Sequence, residues 1–356
     1  MGWTPLPVPR HGPGVGQAEV AGHATVGGAS EGGSMVRMTR WALVGLAGLL
    51  IAGCASPAPL SPTQTIAPPR PSAATIAPPL PTSTVAPTLT QSMPTATSTE
   101  EAAGGVTITI IYDNNPGDGD ERLETAWGFA CLVELLPEAG GPEGVEKTIL
   151  FDTGGDSAML LRNMRALGID PRDVDVVVIS HVHGDHVGGL AGFLEENHAV
   201  TVYLPQSFPE SIKDDTREAG AELVKVPPQE VRPVEICEHV YSTGELGDWI
   251  NEQALVIETA RGLVVITGCA HPGIVNIVHQ AQELVGGEVY LVLGGFHLGS
   301  VSDAGIAAIV EDFQELGVQR VAPCHCSGDL ARRLFGESYG ENFILAGVGS
   351  RLEIRD

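Results

Sequence analysis

Nine of the eleven histidines fall between 181 and 325, and their densest set is Ser180-His181-Val182-His183-Gly184-Asp185-His186-Val187-Gly188-Gly189-Leu190. Alternate residues of an extended chain project to the same side, so His181 and His183 offer two imidazoles to one ion. Asp185 and His186 follow a glycine turn at the mouth of the next helix, where they point at a neighbouring position. Imidazole plus carboxylate is a donor set that borderline cations such as Zn2+ prefer. An ion held by neutral imidazoles and one carboxylate keeps positive charge and lowers the pKa of bound water toward ~7. The expected chemistry is therefore attack by metal-bound hydroxide on a carbonyl or phosphoryl centre, with no separate Ser or Cys nucleophile.

Most of these histidines stand where a strand-like run ends. Such runs cover 106–112, 129–135, 148–151, 174–179, 200–204, 223–226, 254–258, 263–267, 289–293 and 318–322. Several are continuous Val/Ile/Leu stretches, as in strands buried on both faces. Amphipathic stretches at 156–167, 190–197, 273–284, 302–316 and 328–335 predict helices. Asp156 and Ser302 stand as N-caps before two of them. Strands predominate first and then alternate with helices, which predicts an α/β sandwich with helices outside.

The charge balance narrows the partners. The 356 residues carry 44 acidic and 19 basic side chains, a net charge of -25. Residues 1–104 hold four of each, so the whole excess lies in 105–356. That excess argues against nucleic acid, whose phosphates need Lys and Arg, and against docking on an anionic membrane by charge. It leaves a small-molecule substrate as the expected partner, neutral or lightly charged.

The first hundred residues read as address and tether. Arg37 and Arg40 precede an apolar run from Trp41 to Ala52 that ends Ile51-Ala52-Gly53-Cys54. A basic start, a run of about a dozen apolar residues and a small-residue end form an export signal, and the run is short of the ~20 that span a bilayer. Small residues directly before a cysteine resemble a bacterial lipobox, which would leave Cys54 as a lipidated N-terminus; a short anchor or buried helix is the competing reading. On this reading 1–34 lie upstream of a start at Met35 or Met38, 35–54 are the signal, 55–104 a linker, and 105–356 the folded domain. In 55–100, 27 of 46 residues are Pro, Thr or Ser, too polar to collapse, so a disordered stalk is expected. The protein is thus expected outside the cytoplasm, lipid-anchored to a bacterial membrane.

His181-x-His183-x-Asp185-His186 resembles the signature of the metallo-β-lactamase superfamily, and its other landmarks follow in order. Phe151-Asp152-Thr153-Gly154 resembles the strand-end Asp that supports the ligand loop without binding metal. Thr267-Gly268-Cys269-Ala270-His271 and Pro323-Cys324-His325-Cys326 resemble the motifs whose histidines complete the first and second metal positions. The resemblance implies a four-layer αββα sandwich, with His181, His183 and His271 around one Zn2+ and Asp185, His186 and His325 around a second. One ion is the alternative count, and Mn2+ or Fe2+ the alternative metals. Within the superfamily, Asp113-Asn114-Asn115, Trp127-Gly128-Phe129, Gly294-Gly295-Phe296-His297-Leu298 and His325-Cys326-Ser327-Gly328 resemble the dihydropterin synthase-like branch. That branch takes its name from an archaeal enzyme joining a dihydropterin diphosphate to ribofuranosylaminobenzene phosphate with release of pyrophosphate; most of its bacterial members carry only a general assignment as metal-dependent hydrolases. Asn114, Asn115 and Phe129 are placed at the pocket mouth by that resemblance alone.

Many relatives carry an Asp that bridges the two metals at a strand end between the third and last motifs. Here the run 289–293 ends in Gly294-Gly295-Phe296-His297, with no acid. His297 is left as ligand, substrate contact or loop cap, and with Asp185 it is the candidate catalytic residue. Cys269, two before His271, is placed to face the same way, whereas Cys324 and Cys326 should turn away from His325 in extended chain; buried structural thiols are the favoured reading. His198, His239 and His279 lack motif context. The expected activity is hydrolysis of an ester, lactone or phosphoester. The alternatives are the pterin-type transfer, iron-based oxygen chemistry on the same fold, and a non-catalytic metal or solute binder.

Overall fold

The computed structural model describes residues 104–117, 119–137, 144–229 and 232–355. The expected signal, Cys54 and most of the Pro/Thr/Ser-rich tether lie outside the described residues. No helix among the described residues is long and apolar enough to cross a membrane.

Two sheets face each other. The first joins β1 (Gly105–Tyr112), β2 (Ala130–Leu136), β3 (Lys147–Phe151), β4 (Val176–Val178), β5 (Thr201–Pro205), β6 (Glu222–Val226) and the C-terminal β13 (Arg351–Arg355), in the order β13-β1-β2-β3-β4-β5-β6. It is antiparallel from β13 through β3 and parallel from β3 to β6. The second joins β7 (Val234–Cys237), β8 (Val240–Ser242), β9 (Leu255–Thr259), β10 (Gly262–Thr267), β11 (Val289–Gly295) and β12 (Arg320–Cys324), in the order β12-β11-β10-β9-β8-β7. There β10, β11 and β12 run parallel and the rest antiparallel.

Alternation along each strand builds three apolar layers. Ile149 and Phe151 of β3, Val176 and Val178 of β4, Val264 and Ile266 of β10 and Leu291 and Leu293 of β11 meet between the sheets. The intervening Leu150 and Val177 turn outward to Leu160 and Met164 of α1 (Ser157–Ala166) and Phe193 of α3 (Leu190–Glu196). On the other side Val265 and Val292 meet Ile277 of α5 (Ile274–Val285), Phe313 of α6 (Asp303–Glu315) and Phe335 of α7 (Asp329–Tyr339). With both faces covered, period-two alternation does not show as polar against apolar, and the strands read as continuous apolar runs. The result is the expected αββα sandwich. Asp156 caps α1, accepting from the Met159 N–H at 2.7 Å, and Ser302 caps α6, accepting from the Gly305 N–H at 3.3 Å.

All ten expected strands and five expected helices form. Among the described residues, five strands and α-helices were not expected. The strands β7 and β8 are four and three residues long, and β13 carries only two apolar residues among charges. Helix α4 (Glu210–Glu218) is nearly all polar and buries only Lys213 and Thr216. Helix α2 (Gly184–Val187) inserts a single turn before α3, so Asp185 and His186 ride on that turn and not at the mouth of the longer helix.

Candidate metal centre

The motifs other than Trp127-Gly128-Phe129, which precedes β2, lie at the C-terminal ends of strands, and these ends share one edge of the sandwich. Asp113 follows β1, Asp152 follows β3, and His181 follows β4 by three residues. Residues Gly268 to His271 follow β10, His297 follows β11 and His325 follows β12. Among the described residues five non-glycine positions have positive φ, and four lie here: Asp152 (57°), Ala270 (63°), His297 (55°) and His325 (47°). Left-handed backbone at such residues is held only when the surroundings over-determine it, and it collects at functional sites.

The imidazoles are aimed by their second nitrogens. His181 Nδ1 lies 2.9 Å from Ser180 Oγ, His186 Nδ1 2.7 Å from Asp152 Oδ2, His271 Nδ1 3.0 Å from Glu252 Oε2 and His325 Nδ1 3.0 Å from Asn114 Oδ1. Fixing Nδ1 in this way leaves Nε2 to face the centre, the usual means of orienting a metal-ligating histidine. His183 enters from the other nitrogen, its Nδ1 3.1 Å from His181 Nε2. The Asp152 carboxylate also accepts from Ser180 N–H and from Ser180 Oγ, each at 2.7 Å, and so holds the ligand loop as the resemblance implied.

The remaining atoms converge in two overlapping groups. Asp185, His186, Cys269 and His325 bring their donor atoms within 4.8 Å of one another, and so do His181, Cys269 and His271. His183 packs its ring 4.8 Å from those of both His181 and His271. The six candidate residues are therefore gathered at one place, five of them within these groups and His183 through its ring contacts. Burial and the neighbouring His186 push His181 down to about 3, and burial and His325 do the same to His186. Both rings are neutral, with lone pairs free for a cation. For Asp185 burial works the other way, but the hydrogen bond from His325 and the adjoining imidazoles hold it below the ordinary carboxylate range. Two buried neutral imidazoles and one ionised carboxylate match the needs of a divalent cation.

Two features depart from the sequence reading. Cys326 does not turn away. His325 has positive φ and opens a 3₁₀ turn over His325–Ser327, so the chain there is not extended and the Cys326 sulfur joins Cys269 and His297 in a third group. The hydrogen bonds from Cys269 and His297 lower Cys326 against its burial, and Cys269 is raised in turn. Cys324 does fit the reading of a structural thiol, since it packs between the sheets. The second feature is Glu252, which sequence reasoning missed. Its buried carboxylate accepts from the N–H groups of Cys269, Ala270 and His271 at 2.8, 2.8 and 2.9 Å besides the His271 ring. Burial opposes its charge, but the His271 hydrogen bond, His181 and these amides leave it lowered to about 2. Nothing local marks it: Asn251-Glu252-Gln253 is an ordinary polar stretch before β9.

The mouth of the centre is aromatic. Trp127, 61% exposed, lies 5.0 Å from the His325 ring, and Trp249, 80% exposed, stands perpendicular to the His271 ring at 6.4 Å. His297 is exposed, its ring 4.5 Å from that of His271, and the hydrogen bond it donates to the Cys326 sulfur raises its pKa. Asn114 borders His325, whereas Phe129, expected at the mouth, is fully buried in the core between the sheets with its ring 6.5 Å from that of His325. His198 and His279 are exposed and His239 is half-buried in a distant turn; none joins the site.

Donors gathered at the strand ends of a four-layer sandwich define a divalent-metal-binding α/β protein. The sequence profile of the metallo-beta-lactamase superfamily matches residues 143–283. An uncharacterized protein of Methanocaldococcus jannaschii is 30% identical over 278 residues, which is 69% of this chain and all of that one. The chain belongs to the metallo-beta-lactamase superfamily. It is also similar to the 7,8-dihydropterin-6-methyl-4-(beta-D-ribofuranosyl)-aminobenzene-5'-phosphate synthase of the same organism, 29% identical over 61% of this chain and 86% of that protein. Among solved structures, Tm1679, described as a metal-dependent hydrolase of the beta-lactamase superfamily, is 30% identical with a TM-score of 0.56, covering 70% of this chain and 100% of its own.

Proposed function

We propose that the chain is a metal-dependent hydrolase of small esters, lactones or phosphoesters, with Zn2+ as its resident ion in one or two copies. The observation that carries this reading is the convergence of five imidazoles and Asp185 at an open, aromatic-rimmed mouth. His181, His183 and His271 hold the first position; Asp185, His186 and His325 hold the second. A divalent cation there supplies Lewis acidity and an acidified water. Asp185, 22% exposed at its side chain, accepts a hydrogen bond from the attacking water and orients it. His297, exposed at the mouth with its ring 4.5 Å from that of His271, stands where it can pass a proton to the departing oxygen. Trp127 and Trp249 seat a flat or apolar part of the substrate.

The aromatic rim, together with the likeness to the archaeal synthase, keeps a second reading in play: transfer of a pterin-type group with release of pyrophosphate. We place the protein outside the cytoplasm on a lipidated Cys54, where the cytoplasmic metabolites of that transfer are not supplied. Labelled palmitate incorporated into wild type but not into Cys54→Ala tests the placement. A panel of chromogenic esters, lactones and phosphodiesters, run with metal-stripped and metal-refilled protein, tests the activity. Turnover that depends on metal supports a hydrolase. Pyrophosphate release from a pterin diphosphate, with no turnover on the panel, shifts the assignment to the transferase. Silence in both assays from a fully metal-loaded protein sinks the enzyme reading and leaves a metal or solute binder.

A further inference from the structure

We propose that the sulfur of Cys269 is a metal ligand shared by both ion positions, standing in for the absent bridging carboxylate. The inference rests on the metal-centre reading above and adds to it a seventh protein ligand. Cys269 is the one residue common to the two groups of donors, meeting Asp185, His186 and His325 on one side and His181 and His271 on the other. Its Sγ lies 3.3 Å from His186 Nε2 and 3.4 Å from His325 Nε2. A structural thiol packs against aliphatic carbon, as Cys131 and Cys324 do between the sheets; Cys269 is buried yet belongs to none of the three apolar layers.

The strand end that lacks the acid also has no room for one. Gly294 has φ +119°, and a Cβ on it would collide with the Thr267 carbonyl across β10 and β11. A Cβ on Gly295 would strike the Gly268 carbonyl and stand 2.6 Å from Cys326 Sγ. The close approach that excludes a carboxylate there brings the two sulfurs in. The Cys269 position is fixed from behind: its N–H and that of Ala270 both donate to Glu252 at 2.8 Å. A cation is the largest local charge in such a site and displaces the thiol proton to solvent on binding. Thiolate with imidazole selects Zn2+, Co2+ or Fe2+ over Mn2+ and Mg2+, so the sulfur also narrows the choice of metal.

The test uses the full-length protein, stripped of metal and refilled with Co2+. Wild type should show a near-ultraviolet sulfur-to-cobalt charge-transfer band beside the visible ligand-field bands. Cys269→Ser should lose the first while keeping ligand-field bands, with at least tenfold weaker binding of the second equivalent. Cys326→Ser should keep the charge-transfer band. Should Cys269→Ser fail to fold, X-ray absorption of the wild-type zinc form reads the same point without a variant, as a sulfur shell at about 2.3 Å. Ligand-field bands without a charge-transfer band in wild type, or loss of that band in Cys326→Ser alone, overturns the sulfur bridge and leaves the histidine centre intact. No Co2+ bound at all overturns the bridge together with the metal centre.

Discussion

Glu252 gives the sharpest test of how the centre is held, because its two oxygens do different work. One accepts the N–H groups of Cys269 and Ala270, both at 2.8 Å; the other accepts the His271 N–H at 2.9 Å and its ring Nδ1 at 3.0 Å. In Glu252→Gln the amide oxygen can keep the first pair, but the NH2 group then faces the second. Two charge-assisted hydrogen bonds worth roughly 1.5–3 kcal/mol each are lost, and the buried His271 N–H is stranded. Partial relaxation sets the expected loss of folding stability at about 3–5 kcal/mol. The ring has only one answer to an N–H at its Nδ1, which is to move its own proton to Nε2. That blocks the lone pair aimed at the first ion position, so metal affinity there should fall ten- to a hundredfold. Urea unfolding of the metal-free protein reads the first quantity, and competition with a chromophoric chelator reads the second. A variant within about 1 kcal/mol of wild type, with unchanged affinity, would refute the claim that Glu252 sets the His271 tautomer.

The other predictions concern single contacts of the same centre. His183→Ala should lose the first ion and bring metal-dependent turnover to background, and retained zinc with full activity would defeat its assignment as ligand. Gly268→Ala would drive a methyl into the Ser180 hydroxyl and to 3.0 Å from Asp152 Oδ2; a loss of about 1–3 kcal/mol by denaturant titration, with weaker binding at the His186 position, is expected. Trp249→Ala removes an 80% exposed indole, so the midpoint of thermal unfolding should hold while KM for substrates with a flat apolar group rises about tenfold, or about 1.4 kcal/mol; equal KM values would remove the indole from the substrate path. Chelation should lower the folding stability by RT ln(1 + M/Kd) for free metal M, about 4 kcal/mol where free metal had exceeded its Kd a thousandfold, and calorimetry showing no shift of the unfolding midpoint would mean that no ion was held.

What the sequence shows and what it hides at this site divide along one physical line. Four of the six proposed metal ligands have local spacing: His181, His183, Asp185 and His186 lie within six positions, and the apolar runs that deliver them to one edge are visible because both faces of each strand are buried. The opposite nitrogens of the same rings are answered from far along the chain. Asp152 reaches His186 across 34 positions, Glu252 reaches His271 across 19, and Asn114 reaches His325 across 211. No period or local motif encodes such a pairing, so Glu252 stayed silent, and Asp152 and Asn114 were visible only through family likeness. The reading of Cys326 failed for a related reason. Reading Cys326 as turned away assumed extended chain, and the left-handed His325 broke that assumption. Backbone conformation at a strained residue is set by what surrounds it, here the Asp113 carboxylate that accepts the His325 N–H at 3.0 Å from the end of β1. Local pattern therefore locates the ligands, while their aim, and hence the proton and metal chemistry, is fixed by contacts that exist only after the two sheets have closed.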